Sequence, residues 1–360
     1  LIALVHLWLT AKWLVRRRCS EVRPGICAQM NEPVSVIVPC YLPNEEDTIF
    51  ATIEHLMTQL EHSGPLTLFV VYNTTKKLPS EMTLQAWDGK TYPSGRTLRV
   101  LEAIGSRSKA ENLNYVLRQV CDKFVALYDA DHRPDAASLQ LMMRSLLERR
   151  CPAVQGSTYI RNPNSLLACL VDAEFFVTHF IYFPAMQQLS GTAYFGGSNA
   201  LWQTEVLRQY SFDPSMHTED VDLSARVILD QHCIHFLPTA RSGELAPAGA
   251  VALGNQRLRW FVGWEQVTHK YYCRVWSSRL SVWRKLGFCY MFHLRWLLLL
   301  AALMGAVINP VITSPFVYPL PTWSVAIQSC VYIAVTLYVF VAALAICKVI
   351  WHNRSRPSMW

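Results

Sequence analysis

From Trp323 to Ile350 the chain reads WSVAIQSCVYIAVTLYVFVAALAICKVI, with no charge until Lys348. A run this long and apolar has few folded solutions, because about 20 apolar residues in a helix cross the ~30 Å hydrocarbon layer of a bilayer. Phe288 to Ile312, which contains WLLLLAALMGAVINPVI, is a second run of this kind. Leu1 to Val15 is a shorter third, closed by Arg16-Arg17-Arg18. The chain opens on Leu1 and not on methionine, so residues 1–18 are read as the visible part of a longer helix. A signal peptide would carry its charges ahead of the apolar run, not after it. Transmembrane helices are therefore predicted at 1–18, 287–313 and 323–350.

The flanks give an orientation. Arg16 to Arg18 follow the first run, Arg279, Arg284, Lys285 and Arg295 precede or enter the second, and Lys348, Arg354 and Arg356 close the third. The loop from Asn309 to Thr322 carries no charge. Positive residues stay on the cytosolic side, so a multi-pass integral membrane protein is expected, with its large central domain in the cytosol. The sequons Asn73-Thr74-Thr75 and Asn353-Arg354-Ser355 then lie where glycans are not added. From Arg274 to Leu286, Trp276, Leu280, Trp283 and Leu286 recur at helical spacing with the basic residues elsewhere on the wheel, which predicts a helix lying in the membrane interface or, as the alternative, a core helix of the soluble domain.

Charged residues make up 16% of the chain and apolar ones 52%, which excludes disorder. The formal charge of +7 suits anionic lipid, a phosphorylated substrate or nucleic acid. The basic residues gather at the membrane flanks without a stacking platform, so no nucleic-acid partner is expected. Eleven cysteines without a Cys-x-x-Cys pair argue against a disulfide framework or a zinc ribbon. Gly-x-Gly-x-x-Gly, the P-loop, Gly-x-Ser-x-Gly and His-Glu-x-x-His are absent.

Residues 31–250 alternate strand and helix signals. Val34–Pro39, Leu66–Tyr72, Thr97–Leu101 and Lys123–Tyr128 read as strands. Helical patterns run over Glu45–Leu60, Ser108–Val120 and Ala136–Arg149. Such alternation predicts an α/β domain with a mostly parallel sheet covered on both faces. Ligands bind beyond the carboxyl ends of such strands.

Asp129-Ala130-Asp131, followed by His132, stands directly after the fourth strand. Two carboxylates at that spacing can meet one hard cation, Mg²⁺ or Mn²⁺, and a diphosphate; the same pair also serves plain turns. Thr218-Glu219-Asp220 opens a helix, either as ordinary capping with Thr218 as N-cap or with Asp220 as a general base. In Gln256-Arg257-Leu258-Arg259-Trp260, Arg259 can fork onto phosphate oxygens and Trp260 can face a sugar ring, or both can anchor an interface.

In this order, ahead of membrane helices, these motifs resemble the inverting family-2 glycosyltransferases of the membrane-bound cellulose, chitin and hyaluronan synthase type. The match extends to Pro39-Cys40-Tyr41 with Glu45, to Lys109 with Asn112 and Asn114, and to Phe195-Gly196-Gly197-Ser198-Asn199, the family's acceptor-side loop. It covers roughly residues 33–265. The resemblance implies a GT-A fold in residues 31–250, with 251–286 carrying the Gln-x-x-Arg-Trp motif and interface helices.

It further implies a nucleotide-diphospho-sugar donor, a UDP-sugar, and a growing β-linked polysaccharide as acceptor. Asp220 would be the base and Glu219 its catalytic neighbour. Asp129 and Asp131 would hold the metal, and Lys109 and Arg259 the diphosphate. Pro39, Tyr41, Glu45, Asn73, Asp129, Gly197, Ser198, Gln256 and Trp260 would bind substrates. A single addition to a membrane lipid, as in glucosylceramide synthesis, is the alternative, and a noncatalytic nucleotide-binding membrane scaffold is the rival of another class. Two departures stand out. Asn73 occupies the place of the acidic residue that holds uracil, and Leu42-Pro43 split Tyr41 from Asn44-Glu45.

Overall fold

The computed structural model describes residues 30–93, 95–293 and 296. The helices expected at 1–18 and 323–350, and most of that at 287–313, lie outside these residues.

Nine strands form one sheet in the order β3-β4-β2-β1-β5-β8-β7-β9-β6. β1 (Val34–Tyr41) and β2 (Leu66–Asn73) are almost wholly buried, as are β5 (Phe124–Leu127), β7 (Ala153–Ile160) and β8 (Ala200–Gln203). β9 (Ile234–Glu244) alternates buried and half-buried positions up to Arg241. β4 (Arg96–Glu102), β2, β1 and β5 pair in parallel. The short strands β3 (Thr91–Tyr92) and β6 (Arg133–Pro134) pair antiparallel to β4 and β9.

The expectation of a mostly parallel sheet needs correction, because β8 runs antiparallel to both β5 and β7 and makes the sheet mixed. β8 follows β7 only after a helical stretch over residues 166–190 and the Gly-Gly-Ser loop, and it enters between β5 and β7 against the direction of both.

Alternating strand residues feed two cores. Val34, Val36 and Val38 meet α1 (Leu42–Thr58) and α4 (Ser138–Arg149) through Ile49, Ile53, Met142 and Leu146. α2 (Pro79–Ala86) adds Leu84 to this face. Ile37, Val71 and Val125 meet α3 (Lys109–Leu117), α7 (Thr204–Tyr210) and α8 (Glu219–Leu229) on the other face. Burying each such side chain stabilises the fold by about 1.5–3 kcal/mol.

Helix starts follow from their residues. Leu42 and Pro43, the insertion after Tyr41, form the first turn of α1, and Glu45 Oε2 accepts the Tyr41 N–H at 2.8 Å. Ser108 caps α3 by accepting the Glu111 N–H at 3.2 Å.

A long apolar helical run crosses one end of the sheet. It comprises α5 (Leu166–Val177), one π turn (Thr178–Tyr182) and α6 (Phe183–Ser190). Among the described residues it is the one run long and apolar enough to span a bilayer, with mean hydropathy 1.6. One face of it packs into the domain, with 28% of the apolar stretch buried and Leu166, Leu170 and Val177 exposed. Ala168, Val171 and Phe175 sit against Leu253 and Trp260, and Phe183 and Met186 against Phe236.

The 28-residue helix α9 (Ala250–Ser277) closes the same end. It stops at Ser278, whose hydroxyl donates to the Val275 carbonyl at 2.6 Å, and helix resumes over residues 282–293. A continuous helix over 274–286 is therefore not formed. Leu280 turns into the core in the break, while Trp276, Val282, Trp283 and Leu286 stay exposed.

Candidate active site

Beyond the carboxyl end of β5 and beside β7 lies a cavity of about 260 Å³. Lys109, Asp129, Asp131, Gly197, Ser198, Glu219, Asp220, Gln256, Arg259 and Trp260 line it together, although they are up to 151 positions apart in the sequence (Lys109 to Trp260). The charged, glycine and Arg-Trp motifs thus converge on one space.

The polar end is built around Lys109, the first residue of α3. Its Nζ forms an ion pair with Asp129, donates to the Gly197 carbonyl at 2.8 Å, and stands 4.0 Å from Glu219. Burial works against the ammonium charge, but Asp129, Glu219 and Asp220 outweigh it and hold Lys109 above the ordinary lysine range. Asp129 is fixed from behind, its backbone N–H donating to Ser198 Oγ at 2.9 Å. Asp131 Oδ2 accepts the Leu245 N–H at 3.3 Å, which ties the second carboxylate to the end of β9.

Asp220 sits in the first turn of α8. Burial, and then the neighbouring Glu219 charge, push its carboxyl up to about 7, against the pull of Lys109. A carboxylate that titrates near neutrality suits proton abstraction. The turn at Gly197 is what lets it approach. That residue has φ +88°, and a Cβ there would lie 2.9 Å from Asp220 Oδ2. Thr218 takes the N-cap place and its carbonyl accepts the Asp222 N–H, but its hydroxyl makes no cap bond. The capping account of this motif thus fails at the hydroxyl, which is pressed toward Gly263 of α9.

Asp222 links the two helices. Fully buried, it receives Arg226 Nε, Lys270 Nζ and Tyr271 OH, each at 2.8 Å. Three donors satisfy a charge that would otherwise be costly to bury.

The opposite end is aromatic, with Phe175, His179, Phe183, Tyr194, Trp260 and Trp264. Arg257 lies 4.1 Å over the Trp260 ring and donates to Glu174 at 2.8 Å, fixing that ring against α5.

Pro39, Tyr41, Glu45 and Asn73 do not line this cavity. Pro39 is buried within β1, and Tyr41 OH meets Thr75 Oγ1 at 3.2 Å. Glu45 lies close enough to Asp129 and Asp131 to feel both, and burial above all raises its carboxyl to about 7. Asn73 is buried, accepting from Asn112 Nδ2 at 2.8 Å and donating to the Ser106 carbonyl at 3.1 Å. Asn114 clamps the Phe212 backbone at 2.7 and 2.8 Å, outside the cavity.

Several residues with a part in the site carried no sequence signal of their own. Gln155 accepts the Gly196 N–H and donates to the Ser198 carbonyl, both at 2.9 Å, and so shapes the glycine loop. His132 is buried between Ser242 Oγ and Glu244 Oε2, each at 3.0 Å. Burial opposes a charge on His132, yet the Glu244 bond outweighs it and raises the imidazole above its ordinary value. The position of His132, directly after the Asp-x-Asp, was its one visible cue.

The family model for glycosyltransferase like family 2 matches residues 32–263, which covers all three motifs. The chain belongs to this family. As a family-2 glycosyltransferase it has an α/β, GT-A-like fold with a mixed sheet. Over 259 residues it is 23% identical to a poly-β-1,6-N-acetyl-D-glucosamine synthase of Staphylococcus epidermidis, covering 71% of this chain and 60% of that protein. The synthase of the same name from Staphylococcus aureus MSSA476 is 23% identical over 248 residues, covering 68% and 58%. The chain thus spans about three fifths of the length of these curated relatives. Among solved structures, a mannosyltransferase from Pyrobaculum calidifontis, in complex with GDP-mannose and Mn²⁺, superposes with a TM-score of 0.62. It is 19% identical and covers 99% of this chain and 100% of that one.

Proposed function

We propose that this glycosyltransferase moves a sugar from a UDP-sugar to a growing β-linked polysaccharide at the cytosolic face of a membrane, with inversion at the anomeric carbon. The observation that carries the reading is the placement of Asp220 and the Lys109–Asp129 pair on either side of Gly197 in one cavity. A base and a diphosphate cradle a few ångströms apart are what a single displacement requires.

The donor set fits a hard divalent cation, since Asp129 and Asp131 present carboxylates at the polar end. Among the described residues no three His, Cys, Asp or Glu side chains converge in a metal-holding cluster. Asp129 and Asp131 would hold the ion, and diphosphate and water would supply its other ligands. Bound there, Mg²⁺ or Mn²⁺ neutralises charge on the leaving group.

The chain's own residues do the rest. Asp220 takes the proton of the acceptor hydroxyl as that oxygen bonds to the anomeric carbon. The bond from that carbon to the diphosphate breaks, and Lys109 and Arg259 receive the charge that leaves. Glu219 keeps Asp220 basic by repulsion. Trp260 offers an apolar face to the acceptor ring.

The relatives' name favours N-acetylglucosamine as the sugar. Membrane attachment is supported by the apolar runs in the sequence. Trp276, Val282, Trp283 and Leu286 are also exposed beside Arg274 and Arg279, a pairing suited to a headgroup layer.

The test uses membranes carrying the protein, Mg²⁺ or Mn²⁺, and labelled UDP- and GDP-sugars, with Asp220→Asn as blank. A large, water-retained, Asp220-dependent product supports the polymer reading. A small, solvent-extracted product turns it to lipid glycosylation, and no Asp220-dependent transfer from any donor sinks it.

A further inference from the structure

One residue of the aromatic end is polar and has a nitrogen to spare. His179 sits in the π turn Thr178–Tyr182 and is 6% exposed. Its Nδ1 bonds the Phe175 carbonyl at 2.9 Å. A carbonyl only accepts, so Nδ1 carries the proton and Nε2 is left as a bare lone pair. Nε2 has no partner among the described residues, and the ring lines the cavity.

The ring is held in place. Phe183 stacks on it at 5.4 Å with planes 5° apart, and Phe175 and Phe236 lie 5.7 and 6.3 Å away. Burial lowers its pKa to about 4, so it stays neutral. The π turn has a part in this placement. In an α-helix each four-residue step overshoots one turn by ~40°, and the wider turn takes up the excess. Phe175, His179 and Phe183, four residues apart, thereby share the face toward the cavity.

We propose that His179 reads the acceptor: its Nε2 accepts a hydrogen bond from a hydroxyl of the acceptor sugar whose apolar face lies against the surrounding rings. This rests on the glycosyltransfer reading above and assigns the selective contact within it. The diphosphate end is occupied by Lys109 and the two aspartates, while His179 lies among Phe175, Phe183 and Phe236, within electrostatic reach of His132. Tyr194, stacked 4.3 Å from Phe183, is itself close enough to Asp220 to feel its charge. A lone pair in an aromatic chamber selects a ligand that brings both a donor and an apolar face, and a sugar ring brings both. A buried acceptor left unpaired is costly, so an acceptor lacking that donor is rejected.

The test measures transfer from labelled UDP-N-acetylglucosamine to a β-1,6-linked N-acetylglucosamine trisaccharide, in membranes carrying the whole chain with Mg²⁺. His179→Phe keeps the ring stack and removes Nε2, and His179→Gln returns an acceptor oxygen. The expected result is an acceptor KM raised about tenfold in His179→Phe, an unchanged donor KM, and recovery to within about threefold in His179→Gln. The unchanged donor KM shows the variant to be folded, and a merely structural histidine would not give the split. An acceptor KM that holds in His179→Phe, or a donor KM that rises with it, overturns the assignment while leaving the enzyme a glycosyltransferase. No turnover by the wild type would overturn the function itself, and this inference with it.

Discussion

Gly263 on α9 faces Thr218 so closely that a Cβ at Gly263 would stand 2.5 Å from the threonine Cγ2. Thr218 immediately precedes Glu219 and Asp220, so the long helix bears directly on the turn that aims the base. Gly263→Ala must push that turn away. The expected outcome is a kcat lowered at least about tenfold with a smaller change in donor binding, since a 1 Å misplacement can cost about 100-fold. Thr218→Ala in the same chain recovers part of the loss. Equal losses in kcat and donor affinity would show that the whole cavity had collapsed instead.

The pH profile follows from Asp220. A base works only when ionised, and burial with Glu219 raises this carboxyl to about 7. Below that value the protonated form dominates, so log(kcat/KM) should fall with slope one on the acid side of neutrality and level off above it. An acid limb at pH 4 to 5 would show that Asp220 is not held in its high-pKa state during turnover.

Glu45 gives a stability prediction of definite sign. Its carboxyl is raised to about 7, chiefly by burial. A native carboxyl above its unfolded value binds more protons folded than unfolded, so stability falls as pH rises from about 4.5 to 7. Glu45→Gln removes that loss and keeps an oxygen for the Tyr41 N–H. In chelator, thermal melts should show the variant roughly 1–3 kcal/mol more stable at pH 8 and level with the wild type at pH 4. Equal stability at both pH values would place the Glu45 carboxylate in water.

Asp222→Asn removes a fully buried charge that Arg226, Lys270 and Tyr271 share. Breaking such a cluster from one side leaves Arg226 without a carboxylate and Lys270 with Asp213 alone, and costs up to about 3 kcal/mol. Denaturant unfolding should show this loss. Urea midpoints within error of the wild type would mean that solvent reaches the cluster.

The first half of the sheet was legible because its parallel strands are buried on both faces. VSVIVP and LTLFVVY are apolar but for Ser35 and Thr67, and the first runs straight into the helix that carries Glu45. β7, β8 and β9 were not. β7 buries Gln155, Ser157 and Thr158, which a hydropathy pattern assigns to a loop. Their partners, such as the Pro238 carbonyl on Ser157 at 2.9 Å, exist only once β9 is in place. The charged residues of the site were readable for the opposite reason. Asp129, Lys109 and Asp220 follow strands or open helices, where charge has little purely local cause. Gln155, Glu244 and His179 acquire their meaning from register, and for His179 that register depends on one π turn that no residue pattern announces. Asn73 shows the converse: it was conspicuous by its position, and the fold spends its amide on Asn112 and Ser106.

α9 is 28 residues long, about 42 Å from end to end. Trp260 borders the cavity near one end, Lys270 and Tyr271 grip Asp222 further along, and Trp276 is exposed near the other. The helix is therefore a beam resting on a fulcrum two residues from Asp220, the proposed base. A tilt imposed at its exposed tip would be carried to Trp260 and Asp220 in the same stroke, so the surroundings of that tip and the rate of sugar transfer would be mechanically one variable.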